Sequence, residues 1–90
     1  MVDLSTIPWR MDRITKEYIE ENREKLSDPA SMTPNELGDA ITYCQTAWNP
    51  YAEELMSRSG HIEAFREAKT DKERSEILKK SCAYHGFLLF

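Results

Sequence analysis

Apolar residues recur every three or four positions over most of the chain, a spacing that predicts amphipathic helices rather than strands. The first such stretch extends from about Asp12 or Thr15 to Leu26, and its opposite face alternates glutamates with basic residues. A face of mixed charge is typical of a solvated surface. The pattern therefore predicts a first helix that follows an irregular N-terminal arm of residues 1–11.

The clearest helix start lies at Thr33. Residues 33–36, Thr-Pro-Asn-Glu, combine an N-cap hydroxyl, a proline at the first helical position and a glutamate three residues after the cap. Met32 and Leu37 stand at the two positions of a hydrophobic staple. A second capping box at residues 70–73, Thr-Asp-Lys-Glu, predicts the start of the last helix, which Gly86 closes.

A long apolar stripe from Leu37 to Leu55 keeps its helical phase across Pro50. Proline removes a backbone donor and crowds the preceding turn, and Asn49 before it would suit the N-cap of a separate helix. A kinked single helix and two separate helices both fit these residues. We favour one central helix over residues 34–59, kinked at Pro50, because a loop usually loses the phase of a stripe.

The positions and number of the glycines and prolines also fit a helical fold. Gly60 is placed to end the central element as a left-handed cap, and a short helix over about His61 to Ala68 follows it. The chain has three glycines and four prolines in 90 residues, fewer turn residues than an all-β protein of this length normally carries. The expected fold class is all-α: one small, compact domain over residues 1–90, built as a bundle of three to five helices.

Composition and charge narrow the class of function. Hydrophobic residues make up 40% of the chain and charged residues 31%, which suits a folded domain, and the net charge is −4. Neither residues 1–60 nor residues 61–90 have the dense positive field of a non-specific nucleic-acid binder, so we do not expect nucleic acid as a partner. One alternative function still involves nucleic acid: a nucleic-acid-associated regulator that uses the basic residues of the C-terminal helices. These residues are Arg66, Lys69, Lys72, Arg74, Lys79 and Lys80.

The sequence also indicates a compartment. No apolar run is long enough to span a bilayer, and the first residues lack the pattern of a secretory signal. Cys44 and Cys82 are too few for a disulfide framework. We therefore expect a cytoplasmic protein with reduced, buried cysteines and no membrane contact.

No motif identifies an active site. Glycine-rich phosphate loops, a nucleophile elbow and a paired-histidine zinc helix are all missing, so we expect no enzyme and no cofactor. A second alternative is a small zinc-stabilised domain, because Cys44, His61, Cys82 and His85 are the ligand types that tetrahedral zinc prefers. Cys82 and His85 form one close pair, but Cys44 and His61 stand alone without the second pair usual in such sites, so no metal ligand is predicted.

Protein–protein interaction is the favoured function: an adaptor, regulator or assembly factor that binds another protein or a second copy of itself as a homodimer. The aromatic side chains on the stripe favour it, since Trp and Tyr often anchor interfaces. So does the apolar C-terminal tail, residues 87–90, which either folds back over the core or docks on another chain. The predicted partner-binding residues are Trp48, Tyr51, Phe87, Leu88, Leu89 and Phe90.

Overall fold

Six α-helices make up most of the computed structural model, which describes residues 2–86. No strand is present in this part of the chain, and the all-α prediction is confirmed. The radius of gyration, 12.5 Å, matches the value of about 12 Å for a compact domain of this length. The helices are α1 (Lys16–Glu21), α2 (Arg23–Leu26), α3 (Pro34–Thr42), α4 (Pro50–Ser59), α5 (Ile62–Glu67) and α6 (Asp71–Tyr84).

Both predicted capping threonines begin a helix. At the start of α3 the Thr33 hydroxyl accepts from the backbone N–H of Glu36 at 3.2 Å, and the Glu36 carboxylate accepts from the N–H of Thr33 at 2.9 Å. At the start of α6 the Thr70 hydroxyl accepts from the N–H of Glu73, but the Glu73 carboxylate accepts from Lys69 instead of Thr70. The N-cap of α6 is therefore confirmed, with its return bond shifted by one residue.

The structure corrects the prediction of one helix kinked at Pro50. Helix α3 ends at Thr42, the chain bends through residues 43–49, and α4 begins afresh at Pro50. Asn49 is extended, with φ −147° and ψ 163°, and its side chain accepts from the N–H of Ala52 at 2.9 Å. The proline cannot donate to a preceding helix, and Asn49 caps a separate one.

The predicted first helix is also divided. At Asn22 the backbone leaves helical geometry (φ −111°, ψ 20°), and the side-chain amide donates to the carbonyl of Tyr18 at 2.9 Å. Asparagine competes in this way for backbone partners, which disfavours it inside helices. Two short helices, α1 and α2, result, so residues 2–86 hold six α-helices, besides two short 3-10 turns, rather than three to five.

The N-terminal arm is part of the core rather than a loose extension. The N–H of Arg10 donates to the carbonyl of Tyr43 at 2.7 Å, and the N–H of Gln45 donates to the carbonyl of Pro8 at 2.8 Å. Trp9 is 8% exposed, and its indole N–H donates to the carbonyl of Leu4 at 3.0 Å. The arm thereby fixes the position of the loop between α3 and α4.

The core lies between this arm and the faces of α3, α4 and α6, with Phe65 entering from α5. Helix α4 is central, since it packs on α3, α5 and α6. The longest helix, α6, has 14 residues, and nowhere in residues 2–86 does a helix have the length and apolar character needed to cross a bilayer. The largest fully buried side chains are Tyr51, Phe65, Leu37, Leu55, Met56, Cys82 and Ser81.

Candidate interaction surface

The structure separates the two aromatic residues that the sequence places together. Tyr51 is fully buried at the start of α4, and its hydroxyl donates to the carbonyl of Leu26 at 2.7 Å. Burial raises the pKa of this phenol well above its ordinary value. Trp48, three residues earlier in the loop, is 46% exposed. Tyr51 is therefore a core residue out of reach of a partner, and we keep Trp48 as the candidate contact.

Three neighbours hold the exposed indole of Trp48 in place. Its ring meets the buried ring of Phe65 edge-on, with 5.3 Å between centroids. The guanidinium carbon of Arg74, on α6, lies 5.1 Å from the Trp48 centroid, a cation–π arrangement. The indole N–H donates to the carboxylate of Glu53 at 3.4 Å. The ring is thus fixed on several sides while nearly half of its surface faces solvent.

Trp48 borders a depression between the α3–α4 loop and α6. A cavity of about 440 Å³ beside Trp48 and Arg74 adjoins a second of about 230 Å³ beside Arg10 and Arg13. The two cavities share Gln45, Thr46, Ala47 and Ser75, so they form one continuous surface. We call this surface the Trp48 groove, defined by Arg10, Arg13, Thr46, Ala47, Trp48 and Arg74.

The charges along the Trp48 groove are mostly positive. Arg10 pairs with Asp12 at 3.1 Å, and Arg74 pairs with Asp71 at 2.9 Å. Arg13 is exposed and forms no ion pair with another residue of the described chain. No single stretch of the sequence could predict this cluster of arginines, because Arg10 and Arg13 come from the N-terminal region and Arg74 comes from α6.

The other predicted contact residues, Phe87, Leu88, Leu89 and Phe90, lie outside the described residues. The last described turn of α6 is anchored to α4 and α5. The His85 Nε2 atom lies 3.2 Å from the carbonyl oxygen of Leu55, and the Tyr84 ring lies 6.4 Å from the ring of His61. Partner binding by the tail stays a prediction.

The four residues of the zinc alternative are engaged elsewhere. Burial raises the pKa of the Cys44 thiol to about 12 and of the Cys82 thiol to about 11, so both stay protonated at neutral pH. The Nδ1 atom of His61 lies 2.7 Å from the Ser59 hydroxyl. Residues 2–86 contain no group of three His, Cys, Asp or Glu side chains placed to share a metal ion. The geometry gives the zinc alternative no support.

A short series of hydrogen bonds at the end of α4 shows no pattern in the sequence that would predict it. The Ser59 hydroxyl lies 2.7 Å from the Ser81 hydroxyl and 2.7 Å from the His61 Nδ1 atom. Ser81 is fully buried on α6. Among the described residues no carboxylate bonds to the His61 ring, so the orienting third group of a catalytic triad is missing there. The bond between the Ser59 and Ser81 hydroxyls links α4 to α6.

Comparison with known proteins adds no further information: no protein-family model, no curated protein and no solved structure matches the chain.

Proposed function

We propose that the protein is a small helical protein–protein interaction module and that the Trp48 groove is its docking surface. The observation that carries the proposal is the position of Trp48, an indole 46% exposed and yet held by Phe65, Arg74 and Glu53. Tryptophan and arginine are enriched among the residues that dominate binding energy at interfaces. Both types meet at this point of the surface.

Pre-organisation supports the same proposal. A side chain that is already fixed loses little conformational entropy when a partner covers it, so more of the buried area contributes to affinity. The indole also offers a large apolar face to a partner. Covering the exposed part of the Trp48 ring therefore gives a favourable contact at small entropic cost.

The proposed compartment is the cytoplasm. Cys44 and Cys82 are both buried free thiols, which suits a reducing environment. No catalytic role and no cofactor are part of the proposal.

The proposal is tested by a photo-crosslinking amino acid placed at Thr46, an exposed residue that lines both cavities of the groove. In cells of the source organism, illumination should give a discrete protein adduct. The same amino acid at Lys80, an exposed residue of α6 that does not line either cavity, serves as the control and should not give that adduct.

Trp48→Ala in the Thr46 crosslinking variant should weaken the adduct strongly without unfolding the protein, which circular dichroism checks. An adduct of equal yield from Thr46 and Lys80, an adduct that survives Trp48→Ala unchanged, or no adduct at Thr46 would overturn the proposal. An adduct with twice the chain mass of 10.5 kDa would identify the partner as a second copy.

We propose Phe87, Leu88, Leu89 and Phe90 as further contacts, because large apolar side chains gain free energy when a partner covers them. Light scattering should compare the native mass of the full chain with that of a chain ending at Gly86. A dimer that becomes monomeric supports the tail as a contact to a second copy. A monomer that loses thermal stability on truncation contradicts a docking role, because the tail then covers its own core.

A further inference from the structure

We infer that the partner presents an acidic segment to the Trp48 groove, with carboxylates facing Arg10, Arg13 and Arg74 and an apolar side chain covering Trp48 and Ala47. This inference rests on the proposed function and names the chemistry of its partner. Three arginines and one aspartate line the groove, whereas the whole chain has a net charge of −4. Counting Asp12, which pairs with Arg10, the groove keeps a surplus of one positive charge on an acidic protein.

Arg13 is the arginine best placed to receive a carboxylate. It is exposed, lines the smaller cavity and makes no direct ion pair within residues 2–86, where the charge of Asp12 acts on it only at longer range. Arg10 stands in the same cavity and shares its charge with Asp12, whose side chain is 64% exposed. Two neighbouring guanidinium groups can each take a carboxylate through a pair of parallel N–H bonds.

Arg74 lies at the other end of the Trp48 groove, and Asp71 partly compensates its positive charge. One terminal nitrogen donates to Asp71 and the other to the carbonyl of Ala68 at 3.2 Å. The buried Nε atom has no acceptor among the described residues. Because Asp71 is fully exposed, its pairing with Arg74 is screened by water and contributes little, so a carboxylate from a partner could replace it.

An acidic protein segment fits this surface better than a nucleic acid does. A phosphate backbone needs many cations in register, and it would meet repulsion from the surplus of carboxylates on the rest of the chain. A short acidic segment needs to match three arginines and one exposed indole. Charge complementarity of this kind also speeds encounter and excludes partners of the wrong sign.

A second copy of the chain is a weaker candidate. The exposed glutamates of α1 and α2 on another copy carry the right charge, but none of them lines the groove. In a two-fold dimer formed by the groove itself, the arginines of one copy would face the same arginines of the other, and like charges oppose such a contact. We therefore assign the groove to a different protein.

The experiment uses the Thr46 crosslinking variant of the full chain and changes charge alone. Arg13→Glu should lower the adduct yield about tenfold, because like charges facing each other oppose binding. Arg13→Lys keeps the charge and should retain most of the adduct. Lys80→Glu changes the net charge by the same amount outside the groove and should leave the yield unchanged.

Peptide mapping of the adduct should then locate the crosslink in a partner segment with a net negative charge, and added salt should lower the yield. No adduct at all defeats the proposed function and this inference together. An adduct that ignores Arg13→Glu and salt, that maps to a neutral or basic segment, that is sensitive to nuclease, or that has the mass of two copies overturns this inference alone.

Discussion

Glu36 joins two elements through a single carboxylate. It accepts from the N–H of Thr33, closing the capping box of α3, and it pairs with the ammonium of Lys25 on α2. The ion pair and the backbone bond together lower the pKa of Glu36 from its usual 4.5 to about 2. In the folded chain this carboxyl therefore stays ionised at a pH where the unfolded chain already binds a proton.

We expect Glu36→Gln to lower stability at neutral pH and to lose that effect in acid. As the pH falls from about 5 to about 2, the unfolded state takes up the proton first, so the contribution of Glu36 disappears over this range. Urea unfolding at a series of pH values measures the difference in the free energy of unfolding between the variant and the natural chain. The difference from the natural chain should shrink in a Lys25→Met background, and a difference that stays constant down to pH 2 would contradict the prediction.

At the scale of single residues, local bonds could be predicted and distant ones could not. The bond from Thr33 to Glu36 spans three positions, a separation that the sequence pattern displays directly. The pair between Glu36 and Lys25 depends on how α2 meets α3, and nothing in the sequence states that geometry. The difference in burial between Trp48 and Tyr51 has the same cause, since the direction of each side chain depends on the bend between α3 and α4.

At the scale of elements, the separation of α3 and α4 depends on Asn49. Its side chain accepts from the N–H of Ala52 and donates to the carbonyl of Thr46 at 2.8 Å, and the residue is 3% exposed. Water cannot easily replace either bond at such a buried site. This one amide therefore holds both the start of α4 and the loop that carries Trp48.

Asn49→Ala should lower the free energy of unfolding by about 1–2 kcal/mol, the range for a lost N-cap. Asn49→Ser keeps an acceptor for the N–H of Ala52 and should lose less. Chemical denaturation of the two variants measures both values. Equal losses would show that the cap contributes nothing, and an Ala variant as stable as the natural chain would contradict the assignment.

The prediction of a kinked helix at Pro50 is wrong for a geometric reason. The non-helical residues 43–49 number seven, which is close to two turns at 3.6 residues each. An apolar stripe counted across such a loop returns to the same phase, so periodicity cannot distinguish the loop from a helix. The chemistry of Asn49 and Pro50, a cap followed by a residue suited to the first helical position, was the better signal.

At the scale of the whole molecule, the two tryptophans have opposite roles. Trp9 is buried, contacts Tyr51 with 5.9 Å between ring centroids, and fixes the N-terminal arm on the core. Trp48 lies at the surface and is 46% exposed. The arm is thus part of the fold, although its irregular sequence gave no periodic signal.

Trp9→Ala should lower the free energy of unfolding by about 3–5 kcal/mol, as large-to-small changes of buried aromatics do. A domain of this size is stable by about 5–15 kcal/mol, so the variant would be close to unfolding. Trp48→Ala is the matched control and should lose much less, because half of that ring is already in water. Thermal melts followed by circular dichroism compare the two, and similar melting temperatures would contradict the assignment.

The fold class could be predicted from the sequence because helix caps and apolar spacing are local. The Trp48 groove could not, since its parts lie at residues 10–13, 46–48 and 74 and meet through the pairing of the arm with the loop. Long-range pairing follows from the packing of the whole chain rather than from any window of sequence.

The antiparallel bridge between Trp9 and Cys44 has a consequence for synthesis of the chain. The bridge sets two walls of the groove, and the third is Arg74 on α6, so the groove is incomplete until that helix has left the ribosome. Chains emerge and fold from the N-terminus onward. If the proposed function holds, we expect a partner of the groove to bind only after α6 has been synthesised and has docked.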